Sequence, residues 1–463
     1  MSANGVYYRW LLPILFVFAA VPIHAQVVSL ESALDEAQAN YPEIKAKQAL
    51  VKSAEDEKKA VANAYIPTLS MQHQYTYATS NNVEGSFYPN GVTISPSGGV
   101  RTENINDPAF GVFTSAMVEW NVYGFGKLNA QNNAAKAGII TQEAELDNSI
   151  FQHKVKTADA YLMLLIAEKL TEIQEKNVQR AASFYEAVSA GVSSGLRSGV
   201  DSSLASAEYA KAKILYLESE RNENARKYQL MELLGRNAEE EMINIDSMEF
   251  FSKLPMAFKS EEYTINQHPV LTLQQAKMSQ AHQQGVSANR EFYPDITLVG
   301  AAWARGSGVS NSDNSYHTDF ASGTEYQVQN YLLGVAIKWV PTNFFASRNR
   351  QQKYEHIVEQ QTETYNQQQL GLKRQLRESE MQYKVMVEQA ETAPIQLHAA
   401  QKAYKQAAAR YKNGLTDLPT MLQSVVALNR AEADYAIAYS NVWRSYLMIA
   451  ASKGDLSDFI EML

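Results

Sequence analysis

The segment FTSAMVEWNVYGFGK, residues 113–127, joins two different kinds of secondary structure. Every second residue from Ala116 to Val122 is apolar, which is typical of a β-strand with two different faces. From Lys127 to Ser194 the chain then continues without a single proline. As a helix, such a run would be roughly 100 Å long. The segment therefore predicts a strand that leads directly into a very long helix.

The same plan occurs a second time along the chain. Two proline pairs, Pro42 with Pro269 and Pro67 with Pro294, share one sequence offset. Two further pairs, Trp120 with Trp339 and Gly195 with Gly414, share a second and slightly shorter offset. We predict two structural repeats, at residues 26–235 and 261–463, joined by an equatorial linker at residues 236–260.

Each repeat is predicted to contain a helix, a strand, a loop, a strand, the long helix and a shorter return helix. The predicted helices are residues 30–64, 127–194, 200–234, 261–290, 347–413 and 418–452. The predicted strands are residues 68–77, 113–122, 295–303 and 331–339, with exposed loops at 80–107 and 305–324. Because the return helices are short, we expect the first helix of each repeat to stack on them end to end. Pro394 should kink or briefly break the second long helix.

Apolar stripes run along the long helices. In the first, the stripe steps by three or four residues through Phe151, Val155, Ala158, Leu162 and Leu165. Such a stripe requires neighbouring helices along the whole length. The helical part is therefore predicted to be an antiparallel coiled-coil assembly.

The four strands have one apolar face each. In the first strand Leu69, Met71, Tyr75 and Tyr77 face one way, with His73 as the exception on that side. Strands that face lipid must close into a barrel, and four strands are too few to close alone. The pattern thus predicts a transmembrane β-barrel built from several chains. Four aromatic residues suit its interfacial belt: Trp120, Trp339, Tyr75 and Tyr77. The alternative is that these aromatic residues belong to an ordinary soluble core.

Residues 1–25 are predicted to be a secretory signal peptide. A mostly apolar run follows Arg9, and it is too short for a membrane helix. Ala25 supplies a small residue at the expected cleavage site. After it, no continuous apolar stretch is long enough to span a bilayer, so we predict a secreted chain without a transmembrane helix.

Composition excludes several classes of function. The 463 residues carry a net charge of −9, which argues against a nucleic-acid binder. There are no cysteines, so disulfides, thiolate metal sites and cysteine nucleophiles are excluded. None of the eight histidines forms a zinc-binding motif, and no phosphate-binding loop or nucleophile elbow occurs. We predict no enzymatic activity, no cofactor and no metal.

The chain resembles the TolC-like outer-membrane efflux proteins over essentially all of its mature length. The resemblance rests on the recurring prolines, on WNVYGFGK at residues 120–127 and on RYKNGL at residues 410–415. It implies a homotrimer with a 12-stranded barrel in the outer membrane of a Gram-negative bacterium and a helical tunnel in the periplasm. It also implies a periplasmic adaptor and an inner-membrane pump or ABC transporter as partners. The energy for export would come from that pump.

The resemblance also places an aperture at the helical tip, around the turns at Gly195 and Gly414. Asp201 matches an acidic position of the family and Asp417 lies nearby, whereas the family's other acidic positions match Thr420 and Gln423 here. We expect a polar constriction around the two aspartates. Alternatively, both of them are helix N-caps.

Three further residues are assigned to this aperture: Arg410, Tyr411 and Arg197. Arg410 and Tyr411 resemble residues that hold the second coiled coil against its neighbour in the closed state. One departure lies at residues 342–347, TNFFAS, where the family often has a glycine-bearing turn.

Two other classes of protein remain open from the sequence. A periplasmic adaptor also has long helical hairpins, but it usually carries one hairpin inside soluble β domains rather than two tandem copies. A structural coiled-coil spacer would not need alternating strands or paired aromatic residues.

Overall fold

The computed structural model describes residues 27–79, 103–237, 239, 243–246, 250–251, 253–255, 265–310 and 315–462. The predicted signal peptide lies outside the described residues, as do most of the predicted 80–107 loop and parts of the predicted linker.

The described chain is mostly helical. Its helices are α1 Leu30–Asn40, α2 Pro42–Asn63, α3 Lys127–Ser193, α4 Gly199–Leu234, α5 Pro269–Arg290, α6 Phe320–Thr324, α7 Asn343–Lys412, α8 Leu418–Lys453 and α9 Ser457–Glu461. Its strands are β1 Val27–Val28, β2 Thr68–Ala78, β3 Ala109–Tyr123, β4 Asn244–Ile245, β5 Asp295–Ser307 and β6 Val328–Lys338. A short 3₁₀ helix, Ile265–Gln267, precedes α5.

The first predicted helix is wrong in one respect, because it is two helices. Tyr41 has an extended backbone with ψ 127°, and Pro42 then begins α2. A residue before proline is disfavoured in the helical region, whereas proline is well placed in a first turn. Pro394 behaves differently, since α7 continues through it without a break. The closely packed Ala390 and Ala393 beside it are almost fully buried.

The second predicted loop also contains more structure than expected. β5 extends to Ser307, Val309 forms an isolated bridge with Tyr316, and α6 packs on the sheet. Gly323 of α6 lies so close to Phe110 that a Cβ there would collide with the Phe110 backbone oxygen. Close backbone approach therefore explains this glycine.

The helices form one layer, and different short helices flank the long ones in its two halves. α3 contacts α2 and α5 on the side of the sheet, and α4 and α8 on the other side. α7 contacts α5 and α8 in the same way. Hence α3 lies inside the layer, α7 forms one edge, and α2 with α4 forms the opposite edge.

The short helices meet end to end, as the sequence predicts. Gly235 ends α4 with a φ of 75°, and a Cβ there would lie 2.9 Å from the Asn40 carbonyl oxygen. Gly454 ends α8 with a φ of 84°, and a Cβ there would lie 2.8 Å from the His268 Cα. The same offset relates these two glycines as relates Trp120 to Trp339, so the duplication extends to the joints between helices.

The largest hydrophobic core surrounds these joints. The Tyr161 hydroxyl, at the middle of α3, donates to the Val28 carbonyl at 2.9 Å. The Trp443 indole donates to the Phe250 carbonyl at 3.0 Å. β1 pairs with β4 in parallel. Described parts of the predicted linker thus lie against the middle of the long helices.

The main sheet is antiparallel, with the strand order β2-β3-β5-β6. Its register repeats with the sequence. Leu69 lies opposite Val118, and the matching residues Ile296 and Ile337 also lie opposite each other. The two hairpins are therefore copies in register as well as in sequence, and the internal duplication is confirmed.

Candidate functional site

One face of the sheet is mostly apolar across all four strands, and a single row with polar side chains crosses it at His73, Thr114 and Gln329. Directly opposed residues share a face, so Met71, Ala116, Ala302 and Tyr331 form one continuous row across the sheet. In the single chain Phe320 of α6 packs on the loop end of this face, against Tyr75 and Phe110. The rest of the face is uncovered: Met71 is 79% exposed and Tyr331 and Leu333 are each 83% exposed. This is a large exposed apolar patch of the kind that marks a contact with lipid or protein.

The opposite face of the sheet is much more polar. Along β2 it presents Thr68, Ser70, Gln72 and Gln74. Glu119 lies opposite Thr68, and Asp295 lies opposite Lys338. The sheet thus separates an apolar side from a mixed, water-compatible side, as expected for a barrel wall with an aqueous interior.

The four predicted belt aromatics lie at the two ends of the sheet. The Trp120 indole donates to the Tyr65 carbonyl at 3.0 Å, and the Trp339 indole donates to the Phe292 carbonyl at 3.1 Å. These matched hydrogen bonds hold each helix-to-strand corner. The carbonyl partners were not predicted, although the recurring Tyr-x-Pro and Phe-x-Pro positions carry the signal.

Tyr75 and Tyr77 lie toward the loop end of the sheet. Tyr75 pairs with Val112, eight residues from Trp120 along β3, a separation of about 27 Å along the strand. With the usual tilt of about 40°, the apolar band between the aromatic ends is about 20 Å high, close to the height of an outer-membrane barrel.

A polar cluster joins the two repeats where the strands meet the helices. Lys127 Nζ lies 2.7 Å from Asp295 Oδ2, and Asn121 Nδ2 donates to Asp295 Oδ1 at 3.2 Å. Lys127 begins α3 and Asp295 begins β5, so the cluster links the first repeat to the second. The residues were not predicted to meet, because they are far apart in sequence.

The turns at the opposite, helical tip are duplicated in detail. Gly195 and Gly414 both have a φ of 72°, which glycine adopts without strain. The Leu196 amide donates to the Gly191 carbonyl at 2.9 Å, and the Leu415 amide donates to the Arg410 carbonyl at 2.8 Å. Both hydrogen bonds close a Schellman-type helix end.

Arg197 brings the two tips together. Its guanidinium lies 3.9 Å from the centre of the Tyr411 ring and donates to the Tyr411 carbonyl at 3.1 Å. Tyr411 is buried, and its hydroxyl finds no hydrogen-bond partner among the described residues. Burial raises the pKa of the Tyr411 phenol; the Asp201 carboxylate adds to this rise and Arg197 opposes it. Arg197, Tyr411 and Asp201 are therefore neighbours.

The other two predicted aperture residues lie apart from this group in the single chain. Arg410 is exposed, and its guanidinium donates to the Leu415 carbonyl within its own turn at 3.4 Å. Asp417 is the N-cap of α8, and hydrogen bonds from the Thr420 hydroxyl and amide lower the pKa of its carboxyl.

The alternative that both aspartates are N-caps is therefore wrong for Asp201. Ser198 caps α4, and Asp201 follows in the first turn, where a carboxylate interacts favourably with the helix dipole. The matched cap positions are Ser198 and Asp417, which are related by the offset of Trp120 and Trp339.

Ion pairs between α3 and α8 join the two coiled coils within the chain. Arg180 contacts Glu432 through both guanidinium nitrogens, at 3.0 and 2.7 Å. Arg444 contacts Asp159 in the same bidentate way, at 2.7 and 3.3 Å. Neither pair was predicted, since the sequence does not show which faces of α3 and α8 meet.

The outer edges of the helical layer are apolar but uncovered. Leu162, on α3, is 2% exposed, whereas Met381, at the matching position of α7, is 70% exposed. Ala436 on α8 is 1% exposed, whereas the matching Leu217 of α4 is 51% exposed. Side chains at equivalent positions of the two repeats are therefore buried inside the chain and exposed at its edges.

Within the described ranges, no α-helix is both long enough and apolar enough to span a membrane. In the same part of the chain, no three acidic or histidine side chains converge as a metal site would require.

A duplicated sheet with one mostly apolar face, continued by a layer of helices about 100 Å long, is the architecture of a channel-type protein. The family model described as outer membrane efflux protein matches residues 33–236 and 263–454. The chain belongs to this family, whose members are channels and not enzymes.

Solved outer-membrane channels have the same fold. The Campylobacter jejuni CmeC channel is 15% identical, with a TM-score of 0.72 over 98% of this chain and 94% of that one. The Vibrio cholerae VceC outer membrane protein is 16% identical, with a TM-score of 0.69 over 92% and 96%. The Neisseria gonorrhoeae MtrE channel, in its open state, is 17% identical, with a TM-score of 0.68 over 92% and 89%. No curated protein matches the sequence.

Proposed function

We propose that three copies of this chain form an export duct across the outer membrane of a Gram-negative bacterium. The observation that carries the proposal is the mostly apolar face of the sheet, which is largely exposed in the single chain and has aromatic residues at both ends. Hydrocarbon would cover this face, and the more polar face would line a water-filled pore. Twelve strands, four from each copy, would close the barrel.

The helical layer supports the same assembly. The open residues Met381 and Leu217 match Leu162 and Ala436, which are both buried inside the chain. A second copy placed by the internal pseudosymmetry brings α7 of one chain against α4 of the next, as α3 packs against α8. Repetition of this contact builds a periplasmic tunnel that continues the barrel.

The helical tip is the proposed aperture. Arg197 and Tyr411 hold the two turns of one chain together at the narrow end, and Asp201 lies beside them in the first turn of α4. Arg410 and Asp417 lie on the same turns and remain assigned to the aperture by the family resemblance. A channel with this fold, MtrE, is described in an open state, which is consistent with an aperture that opens.

The tip is also the proposed docking point for a periplasmic adaptor, which would connect the duct to an inner-membrane pump or ABC transporter. Leu196 and Leu415 occupy matching positions in the two turns and are 82% and 66% exposed. Exposed leucines at a membrane-distant tip favour a protein contact. The duct itself would be passive.

Extraction and conductance test the proposed function. The protein in isolated membranes should require detergent for release and should migrate as a trimer on unboiled gels. In planar bilayers the purified trimer should conduct ions. Release by osmotic shock as a water-soluble monomer would reject the duct.

The aperture is tested separately by conductance of two variants. Asp201→Ala with Asp417→Asn removes both charges while keeping an N-cap at position 417. We expect a higher single-channel conductance and a weaker preference for cations. The control is Glu119→Gln, which removes one charge from the barrel and leaves the tip unchanged. Unaltered conductance and selectivity in the double variant would contradict the assignment.

A further inference from the structure

The four-stranded sheet ends in two strand edges that have no partner within the described chain. β2 is paired there only with β3, and β6 is paired only with β5. Backbone N–H and C=O groups on an open edge cannot remain unpaired in hydrocarbon. On the proposed function, the outer edges of β2 and β6 must therefore pair with neighbouring copies, and a particular register must be chosen.

The chain contains a template for that register. β6 matches β3 by the offset that relates Trp339 to Trp120, and β5 matches β2 by the offset that relates Pro294 to Pro67. Within the chain, β3 pairs with β5 in a register that places Met117 opposite Ala301 and Ala116 opposite Ala302. Because the two hairpins already repeat their registers, the β3–β5 pairing is the internal equivalent of β6 against the next β2.

We infer that β6 of one copy pairs with β2 of the next in the register of β3 with β5. Ala336 then lies opposite Gln74 of the adjacent copy, and Val335 lies opposite its Tyr75. Leu333 lies opposite Tyr77 of that copy. This inference rests on the proposed trimer and assigns the contacts that would close it.

The faces of the sheet agree with this register. Val335 and Tyr75 both belong to the apolar face, where they are 65% and 57% exposed in the single chain. Ala336 and Gln74 both belong to the opposite face. A slip by one residue would place Ala336 opposite Tyr75 and would mix the two faces. Only slips by an even number of residues compete, so the test needs to resolve a shift of two.

Cysteine pairs test the register directly, because the chain has no native cysteine. Gln74→Cys with Ala336→Cys should form disulfides between copies when membranes are oxidised. Tyr75→Cys with Val335→Cys covers the alternate type of strand pair. Directly opposed residues lie about 4.5–5.5 Å apart at Cα, within disulfide range, whereas diagonal neighbours lie about 7–8 Å apart.

Boiled, non-reducing gels should show at least tenfold more covalent dimer and trimer for a matched pair than for shifted pairs. The shifted controls are Ala336→Cys with Gln72→Cys and Ala336→Cys with Thr76→Cys. A positive control is Met117→Cys with Ala301→Cys, which should close within one chain and leave the band monomeric.

The outcomes separate the register from the proposed function. Stronger cross-linking of a shifted pair, or no cross-linking of either matched pair in an unboiled trimer, overturns the register and leaves the duct standing. Loss of the trimer in the unsubstituted protein rejects the duct itself. Selective cross-linking of the matched pairs supports the inference.

Discussion

The seam between the two repeats and the outer edges of the chain have the same backbone plan but different chemistry. Among the described residues, three ion pairs bridge the repeats: Lys127 with Asp295, Arg444 with Asp159, and Arg180 with Glu432. At the outer edges, the matching positions are Ala346 with Thr68, Ala225 with Glu378, and Lys213 with Ala399. Not one of these matching pairs joins opposite charges.

The two seams share their shape but differ in their charged contacts. Backbone register and apolar packing are duplicated, so both seams can have the same shape. At these matched positions, ion pairs are present only at the seam inside the chain, where both partners belong to the same polypeptide. The edges instead present apolar residues such as Met381 and Leu217, which another copy can cover without forming a bidentate ion pair.

The largest expected effect on stability comes from truncating a buried apolar side chain at the inner seam. The same truncation at the outer edge should have little effect on the monomer. Leu162→Ala should lower the free energy of unfolding by about 2–5 kcal/mol, because Leu162 is 2% exposed and its loss leaves a cavity. Met381→Ala, at the matching edge position, should change the stability of a separated monomer by less than about 0.5 kcal/mol. Urea unfolding in detergent measures both.

The same pair of variants should behave differently in the trimer. Met381→Ala should lower the temperature at which the trimer band dissociates, since a neighbouring copy would cover Met381. If Met381→Ala destabilised the isolated monomer as much as Leu162→Ala does, the edge assignment of α7 would be wrong.

A smaller effect is expected from charge. Arg180 and Glu432 have side chains that are each 20% exposed, and a double-mutant cycle on them should give a coupling of about 1 kcal/mol. The missing pair can be added at the edge with Lys213→Glu and Ala399→Arg. This double variant should raise the dissociation temperature of the trimer. Ala399→Arg alone faces Lys213 with a like charge and should lower it.

The smallest effect concerns pH and acts on the joints inside each repeat rather than on the edges. His153 lies against Tyr41 with ring centroids 3.8 Å apart and donates from Nε2 to the Leu233 carbonyl at 2.8 Å. His268 donates from Nε2 to the Ala451 carbonyl at 3.2 Å and accepts the Val270 amide on Nδ1. Burial lowers the pKa of both imidazoles.

The sign of the pH effect follows from proton linkage. Both histidines bind protons more weakly in the folded chain than in the unfolded one, whose pKa is about 6.5. The two neutral histidines should therefore make their full contribution to the free energy of unfolding above about pH 6.5. That contribution should fall as the pH drops below this value, toward the lowered pKa of the folded state. His153→Gln with His268→Asn should flatten the unfolding free energy between pH 7.5 and 5.5. A profile with unchanged slope would show that other groups titrate.

Much of the fold could be predicted because its signals are local or repeated. The period of two in β3, the proline-free run of α3 and the glycine turns each determine structure within a few residues. Pro67 with Pro294 and Trp120 with Trp339 then revealed the duplication. The break at Tyr41 was missed although Pro42 indicates it, because the apolar pattern continues across the proline.

The tip could be predicted only in part. The turns at Gly195 and Gly414 follow from sequence because helices commonly end on a left-handed residue, which is usually glycine. That Arg197 lies on the Tyr411 ring could not be derived, since the two residues are far apart in the chain and only the packing of the two coiled coils brings them together.

The repeat, the extent of the long and return helices and the mostly apolar face of each strand follow from the sequence alone, because they depend on periodicity and on backbone preferences of single residues. Which helix lies inside the layer, which lies at its edge, and which charges meet depend on how the whole chain packs. The reason is physical: α3 and α7 have matching positions and similar lengths, and their burial differs solely because one has helices on both sides and the other on one.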